Sequence, residues 1–279
     1  MQIEIAKSAG FCEGVERAFR IASETKSAYM LGNLVHNKQV VARFQQAGVK
    51  VVQAIKEIPA QAGNIVLISA HGVPPEVYEE AKAKGLTIVD TTCPWVKKAQ
   101  RIAKELCNKG RRVIIIGDKG HPEVKALVGW SCLKGLVVEN AADLVAIQLP
   151  CSTPIGLIAQ TTQSEEHYNH LLTAAKQIFP DIEAHNTICG ATHKRQTAAV
   201  ELAKRVDLML VIGDRLSANT KRLFELCAQT GTTTYQIETV AGLEPDWLVG
   251  KKMVGLTAGA STPDWVIEEV IGALKQKSE

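Results

Sequence analysis

The chain has 279 residues, enough for one large or two to three small domains with a well-buried core. Its 46% hydrophobic and 22% charged residues are ordinary for a globular protein in water, and a formal net charge of +3 neither demands nucleic acid nor excludes an anionic small molecule. No run approaches the roughly 18 apolar residues of a membrane span. The opening MQIEIAKSAGF lacks the basic start and continuous apolar core of a signal peptide. Seven scattered cysteines read as buried hydrophobes, metal ligands or catalytic groups more often than as disulfides, so a reducing, cytoplasmic setting is expected.

Along the chain one pattern occurs three times. The extended IEIAKSAGF leads to Cys12, and a helix follows with an apolar stripe at Val15, Ala18, Phe19 and Ala22. Next come a short apolar strand ending at Gly32, a polar residue four positions on at His36, and the helical KQVVARFQQAG. The strand IVLI runs into a small polar loop with His71, before the helical PPEVYEEAKAKG. The cycle restarts at TIVDTT and Cys93, with a helix striped by Ala99, Ile102, Ala103 and Leu106. Pro94 suits its first position, where no amide donor is needed. RRVIIIG ends at Gly117, with His121 four residues beyond, and IGLIAQTT carries Thr161. The third round takes IEAHNTI to Cys189 and a helix striped by Ala199, Leu202, Ala203 and Val206. DLMLVIG then ends at Gly213 with Ser217 beyond it, and VGLTAGAS carries Ser261 ahead of PDWVIEEVIGALKQ.

Strands alternating with helices predict parallel sheets and an α/β class. In such sheets ligands lie beyond the carboxyl ends of the strands, and each residue singled out above stands at such an end. Three units are expected, 13–93, 94–189 and 190–279, presenting nine equivalent loops to one centre. The first strand has no preceding unit, so residues 1–12 are expected to complete the sheet of the last. The alternative is three independent α/β units with ordinary loops.

Three thiolates at one centre suit an iron–sulfur cluster or a zinc ion. A four-iron cluster normally takes four cysteines, so three leave one iron open to a substrate oxygen. Helix N-termini ease deprotonation of cysteines placed there. No CxxC pair occurs, and any one of these cysteines alone reads as a buried structural thiol; their shared place in each repeat reverses that preference. Cys107 and Cys227 read as core or helix-surface thiols, and Cys132 and Cys151 as unrepeated residues near turns.

The other loop residues, His36, His71, His121, Glu123, Thr161, Ser217, Asn219 and Ser261, include good donors to phosphate oxygens. Without a GxxxxGK[ST] loop or a convincing GxGxxG after a strand, neither an NTPase site nor a dinucleotide is supported; a bound diphosphate fits what remains. Glu123 in GHPEV can donate a proton if burial raises its pKa, or can merely favour a helix start. Thr161 can orient a substrate hydroxyl or cap a helix. His167, His170, His185 and His193 lack repeat equivalents and read as surface or structural.

Nine ordered motifs, AGFCEGVERA, LGNLVHNKQVV, SAHGVPPEV, DTTCPWVKKAQ, GDKGHPEV, AQTTQS, TICGATHKRQ, SANTKRLFEL and TAGAS, give the chain a resemblance to the 4-hydroxy-3-methylbut-2-enyl diphosphate reductase family over nearly its whole length. The resemblance implies a trefoil of three pseudo-equivalent α/β units around a central cluster, and a [4Fe–4S] cofactor held by Cys12, Cys93 and Cys189. It implies diphosphate contacts from His36, His71, His121, Ser217, Asn219 and Ser261, with proton delivery by Glu123 and positioning by Thr161. The implied reaction is reductive dehydroxylation of an allylic diphosphate to isopentenyl and dimethylallyl diphosphates, with ferredoxin or flavodoxin as electron donor. Ala218 stands where many relatives have Ser, and Gly190 where a larger residue is common, which is expected to loosen the turn at Cys189. The rivals are cluster enzymes of three pseudo-equivalent domains, such as quinolinate synthase and the diphthamide-forming radical enzyme, and a zinc-stabilised phosphate sensor.

Overall fold

Short runs of β-branched and aliphatic residues, each followed by an amphipathic helix, form three parallel four-stranded sheets in this computed structural model, which describes residues 1–61 and 63–276. The chain opens with β1 (Gln2–Ile5) and α1 (Glu13–Glu24). There follow β2 (Ala28–Leu31), α2 (Lys38–Gln46), β3 (Lys50–Val52), β4 (Ile65–Ile68), α3 (Pro75–Ala83) and β5 (Thr87–Asp90). The middle stretch holds α4 (Pro94–Asn108), β6 (Arg112–Ile116), α5 (Pro122–Trp130), β7 (Leu136–Val138), α6 (Ala141–Val145), β8 (Ile155–Ala159), α7 (Glu165–Ile178) and β9 (Ile182–Ala184). The last comprises α8 (Gly190–Ala203), β10 (Leu208–Ile212), α9 (Ala218–Ala228), β11 (Thr234–Ile237), β12 (Met253–Ala258) and α10 (Asp264–Gln276).

The sheets share one strand order: β3-β2-β4-β5, β7-β6-β8-β9 and β11-β10-β12-β1. All neighbours are parallel, including β1 beside β12, where Gln2 faces Met253 and Ile5 faces Leu256. The described residues form two compact units. One comprises Met1–Glu16, His36–Val40 and the chain from Gly190 onward; the other comprises Arg17–Val35 and Val41–Cys189. The first holds the sheet of β10 and β12, and the second holds the other two. Strands β8 and β10 are buried along their whole length, as expected of central parallel strands covered on both faces. Ile114 and Leu157 anchor one core cluster, and Leu210 and Leu256 another. Each such side chain contributes roughly 1.5–3 kcal/mol by leaving water.

Two helices that follow cysteines are seated on their sheets by glycine. A Cβ at Gly156 of β8 would lie 2.8 Å from Leu106 Cδ1 of α4, and one at Gly255 of β12 would lie 3.1 Å from Leu202 Cγ of α8. The two glycines sit equally far from their strand ends, and the two leucines equally far from Cys93 and Cys189. The bare strand surface therefore lets the helix approach closely. The first repeat has Ile65 at the corresponding strand position.

One expectation is corrected. Cys107 and Cys132 are joined in a disulfide, with Cα atoms 6.3 Å apart. Cys132 and Leu133 turn through left-handed φ values of 55° and 58°, which returns the chain after α5 to the end of α4. Cys12, Cys93, Cys151, Cys189 and Cys227 lie outside this bond. At Gly190, an added Cβ would meet nothing within 4 Å, so the glycine opens α8 without being required by packing. No helix among the described residues is long and apolar enough to cross a membrane.

Gly156→Val should lower the urea-unfolding free energy by about 1–3 kcal/mol through overpacking against Leu106, whereas Gly190→Ala should be neutral or stabilising by up to about 1 kcal/mol. Equal effects of the two would contradict the close-approach account.

Candidate active site

Each repeated cysteine is held by the same backbone tie. The Cys12 amide donates to the carbonyl of Ala260 (3.3 Å), Cys93 to Ala70 (3.0 Å) and Cys189 to Thr161 (3.0 Å). Each acceptor stands two residues beyond the end of β12, β4 or β8. Each cysteine immediately precedes a helix: Cys12 before α1, Cys93 as the N-cap of α4, and Cys189 before α8. In two repeats a threonine two residues upstream adds a second tie. Thr91 Oγ1 donates to the carbonyl of Ile68 at 2.5 Å, and Thr187 Oγ1 to that of Ala159. In the third, the corresponding position is Gly10, which takes φ +83°; its carbonyl accepts from Nη2 of the buried Arg195 at 2.7 Å.

These ties set the true correspondence of the loops. His71 and Ser261 each follow the acceptor residue, so their equivalent in the middle repeat is Thr162, not Thr161. Thr161 is itself an acceptor, and its side chain turns elsewhere. Its amide donates to Glu123 Oε1 at 2.6 Å and its hydroxyl to Glu123 Oε2 at 2.9 Å. Glu123 lies in the first turn of α5 and is only 2% exposed. Burial pushes its carboxyl up to about 7; the two Thr161 hydrogen bonds oppose this, and the charge of Asp118 reinforces it.

His121 is the N-cap of α5, and its Nδ1 accepts from the Glu123 amide at 3.1 Å. In the neutral ring the proton then belongs on Nε2, which is left as a donor. The His71 ring meets that of His121 edge-on, with centroids 5.2 Å apart. The second unit therefore carries two histidines, a proton-holding carboxyl and its threonine.

The first unit carries the remaining polar loop residues. Ser217 is the N-cap of α9, its Oγ accepting from the Thr220 amide at 3.3 Å. Ser261 Oγ donates to the His36 carbonyl at 2.9 Å and lies 3.4 Å from Ser217 Oγ. Burial lowers the His36 pKa, with the charge of Asp214 opposing the shift. Asn219 is 4% exposed, yet neither its Nδ2 nor its Oδ1 has a hydrogen-bond partner among the described residues. An amide buried this way is costly unless something meets it. Tight turns frame these loops: a Cβ at Gly213 (φ +149°) would lie 2.6 Å from both Thr220 Oγ1 and Thr262 Oγ1.

Asn37, Asp214 and Arg195 were not legible as site residues. Asn37 Oδ1 caps α2 by accepting from the Val40 amide at 3.1 Å, and Asp214 accepts from the amides of Lys38 (3.2 Å) and Leu216 (2.8 Å). Each supports a loop through backbone bonds, which leave no spacing signal. Arg195 had one available cue, a cation on the apolar stripe one turn before Ala199.

Fold and site together define a cysteine-bearing parallel α/β protein with a polar, phosphate-suited set of strand-end loops. The family model described as LytB protein matches residues 3–275, and the chain belongs to that family. It is 44% identical to a 4-hydroxy-3-methylbut-2-enyl diphosphate reductase of Geobacter metallireducens, with 99% of this chain and 98% of that protein covered. It is 42% identical to the reductase of Clostridioides difficile, with 99% of each covered. The solved structure of E-1-hydroxy-2-methyl-but-2-enyl-4-diphosphate reductase from Plasmodium falciparum matches with a TM-score of 0.93 at 29% identity, covering 98% of this chain and 88% of that one. A structure of (E)-4-hydroxy-3-methyl-but-2-enyl diphosphate reductase, described as the terminal enzyme of the non-mevalonate pathway, matches at 38% identity with a TM-score of 0.70, covering 99% of this chain and 100% of that one.

Because Glu123 is raised from 4.5 to about 7 in the folded protein, the folded state binds more protons than the unfolded between those values. Its contribution to stability is complete below pH 4.5 and is lost as pH rises through about 7. Glu123→Gln carries no such term, so urea titrations should show the variant gaining on the parent between pH 5 and pH 8. A difference independent of pH would contradict a raised Glu123.

Proposed function

We propose that this chain reduces (E)-4-hydroxy-3-methylbut-2-enyl diphosphate to isopentenyl and dimethylallyl diphosphates. It is then the last enzyme of the methylerythritol phosphate route, acting in the cytoplasm as three units, 13–93, 94–189 and 190–279, the last completed by 1–12. The observation that carries this reading is the threefold cysteine tie: Cys12, Cys93 and Cys189 occupy one backbone position in three repeats, which suits three ligands of one centre. We assign them to a [4Fe–4S] cluster. The residues fit such a group, since each sulfur stands at a helix start and outside the disulfide. When bound, the cluster supplies electrons one at a time and an iron corner with no protein ligand.

The chain's own residues do the rest. His36, His71, His121, Ser217, Asn219 and Ser261 are assigned to the diphosphate; the buried Asn219 amide supports this, because a phosphate oxygen would satisfy it. His121 contributes Nε2–H. Glu123 keeps its proton near neutrality and gives it up as the substrate hydroxyl departs as water. Thr161 fixes the carboxyl from both oxygens, through its amide and its hydroxyl. Electrons come from a ferredoxin or flavodoxin.

Under anaerobic conditions with a chemical reductant, the reconstituted protein should convert the allylic diphosphate to the two five-carbon products, and no conversion would overturn the proposal. Glu123→Gln should bind substrate normally but turn over at least about 10²-fold more slowly, the usual loss of a general acid, whereas near-normal turnover would remove Glu123 from the mechanism. Asn219→Ala should raise KM by about 10- to 100-fold, the equivalent of a hydrogen bond to a charged group, with kcat changed far less.

A further inference from the structure

Beside the Cys93 end of α4 lies an exposed basic surface that the substrate pocket does not use. A cleft of about 400 Å³ is lined by Thr92 and Pro94, which flank Cys93, and by Arg17, Lys97, Lys98 and Arg101. Four of its six lining residues are cationic. The side chains of Lys97 and Arg101 remain 47% and 69% exposed. Asp90 pairs with Lys97 at 2.7 Å and Glu105 with Arg101 at 3.5 Å, and Glu76 and Glu79 line the adjoining cleft that shares Lys97 and Arg101. Trp95 is 43% exposed, with Lys98 Nζ 5.2 Å from its ring centroid. Lys104, farther along α4, lies over Trp130 instead.

Such a surface has the make-up of a protein-docking face: a tryptophan anchor among cations. The reaction also calls for a partner here. Each turnover consumes two electrons and two protons, releasing one water and one five-carbon diphosphate, and one-electron carriers must therefore dock twice. The Cys107–Cys132 disulfide lies at the other end of α4, about 20 Å along the helix from Cys93 at 1.5 Å per residue, so it is not placed to hand electrons on.

We propose that the face formed by Trp95, Lys97, Lys98 and Arg101 docks a small acidic one-electron carrier protein beside Cys93. This rests on the reductase reading and on Cys93 as a cluster ligand. The cations steer the carrier, Trp95 packs against it, and Cys93, which directly precedes the helix bearing them, is the cysteine nearest in sequence to the contact.

The test uses the full reconstituted enzyme with an acidic ferredoxin and, separately, with reduced methyl viologen. In Lys98→Glu/Arg101→Glu, ferredoxin binding at low salt should weaken by about tenfold or more, chiefly through slower association, and its salt dependence should flatten. Trp95→Ala should weaken binding chiefly through faster dissociation. Viologen-driven turnover and cluster absorbance should stay within about twofold of the parent, the non-specific scatter expected when rim charges alone are altered. Lys134→Glu/Lys176→Glu, which makes the same change in net charge elsewhere, should bind ferredoxin like the parent. Unchanged binding in the first variant, or equal weakening in the control, would overturn the docking face. Should Lys98→Glu/Arg101→Glu lose cluster absorbance, Lys98→Ala decides by the same binding measurement. Absence of viologen-driven turnover in the parent would overturn the reductase reading instead, and the binding measurement would still decide the surface by itself.

Discussion

Everything chemical in this protein depends on a hydrogen bond made three times, from a cysteine amide to the carbonyl two residues past a central strand. It fixes where the sheet ends, where the next helix begins and where the sulfur stands between them. Ligands from distant parts of a chain can serve one centre only if each is delivered rigidly. A main-chain tie does this without a side chain, so the loops around it are free to carry different chemistry in each repeat. That freedom is used: the residue after the acceptor is His71 in one loop, Thr162 in the next and Ser261 in the third.

The middle repeat departs furthest from the other two, and its departure is the buried carboxyl of Glu123. Thr161 serves as acceptor for Cys189 through its carbonyl and as donor to Glu123 through both amide and hydroxyl. One residue thus links the cysteine tie to the buried carboxyl. Two hydrogen bonds alone would hold Glu123 ionised, but burial outweighs them and keeps its proton available near neutral pH. His121 adds to the order of this corner by accepting from the Glu123 amide at Nδ1. On the other unit, Asn219 carries a buried side-chain amide with no hydrogen-bond partner among the described residues.

Much of this was legible because the repeat is written in spacing. Cysteine, glycine and polar residue recur at fixed intervals, and the three like-ordered sheets follow from the same alternation of strand and helix. The edge strands β3, β7 and β11 were not legible, being three or four residues long with no full period of alternation. The match of Thr161 to His71 and Ser261 failed because spacing from a strand end is uncertain by a residue, and only the amide ties resolve it. The Cys107–Cys132 bond was hidden because it depends on two left-handed residues after α5 that carry no glycine to announce them. Cys132 is exposed, so in a reducing compartment that bond is open to thiol exchange. Arg195, Asn37 and Asp214 act on backbone groups, and sequence pattern does not register such partners.

The central claim is that three sulfurs share one inorganic core with a vacant corner. Mössbauer spectroscopy with iron and sulfide analysis, on the anaerobically reconstituted protein and on serine variants of Cys12, Cys93 and Cys189, tests it most directly. The account predicts four irons per chain, one of them spectroscopically distinct and altered by added substrate, and loss of the intact cluster in each variant. A single zinc, four equivalent irons, or a full cluster surviving in any one variant would contradict it.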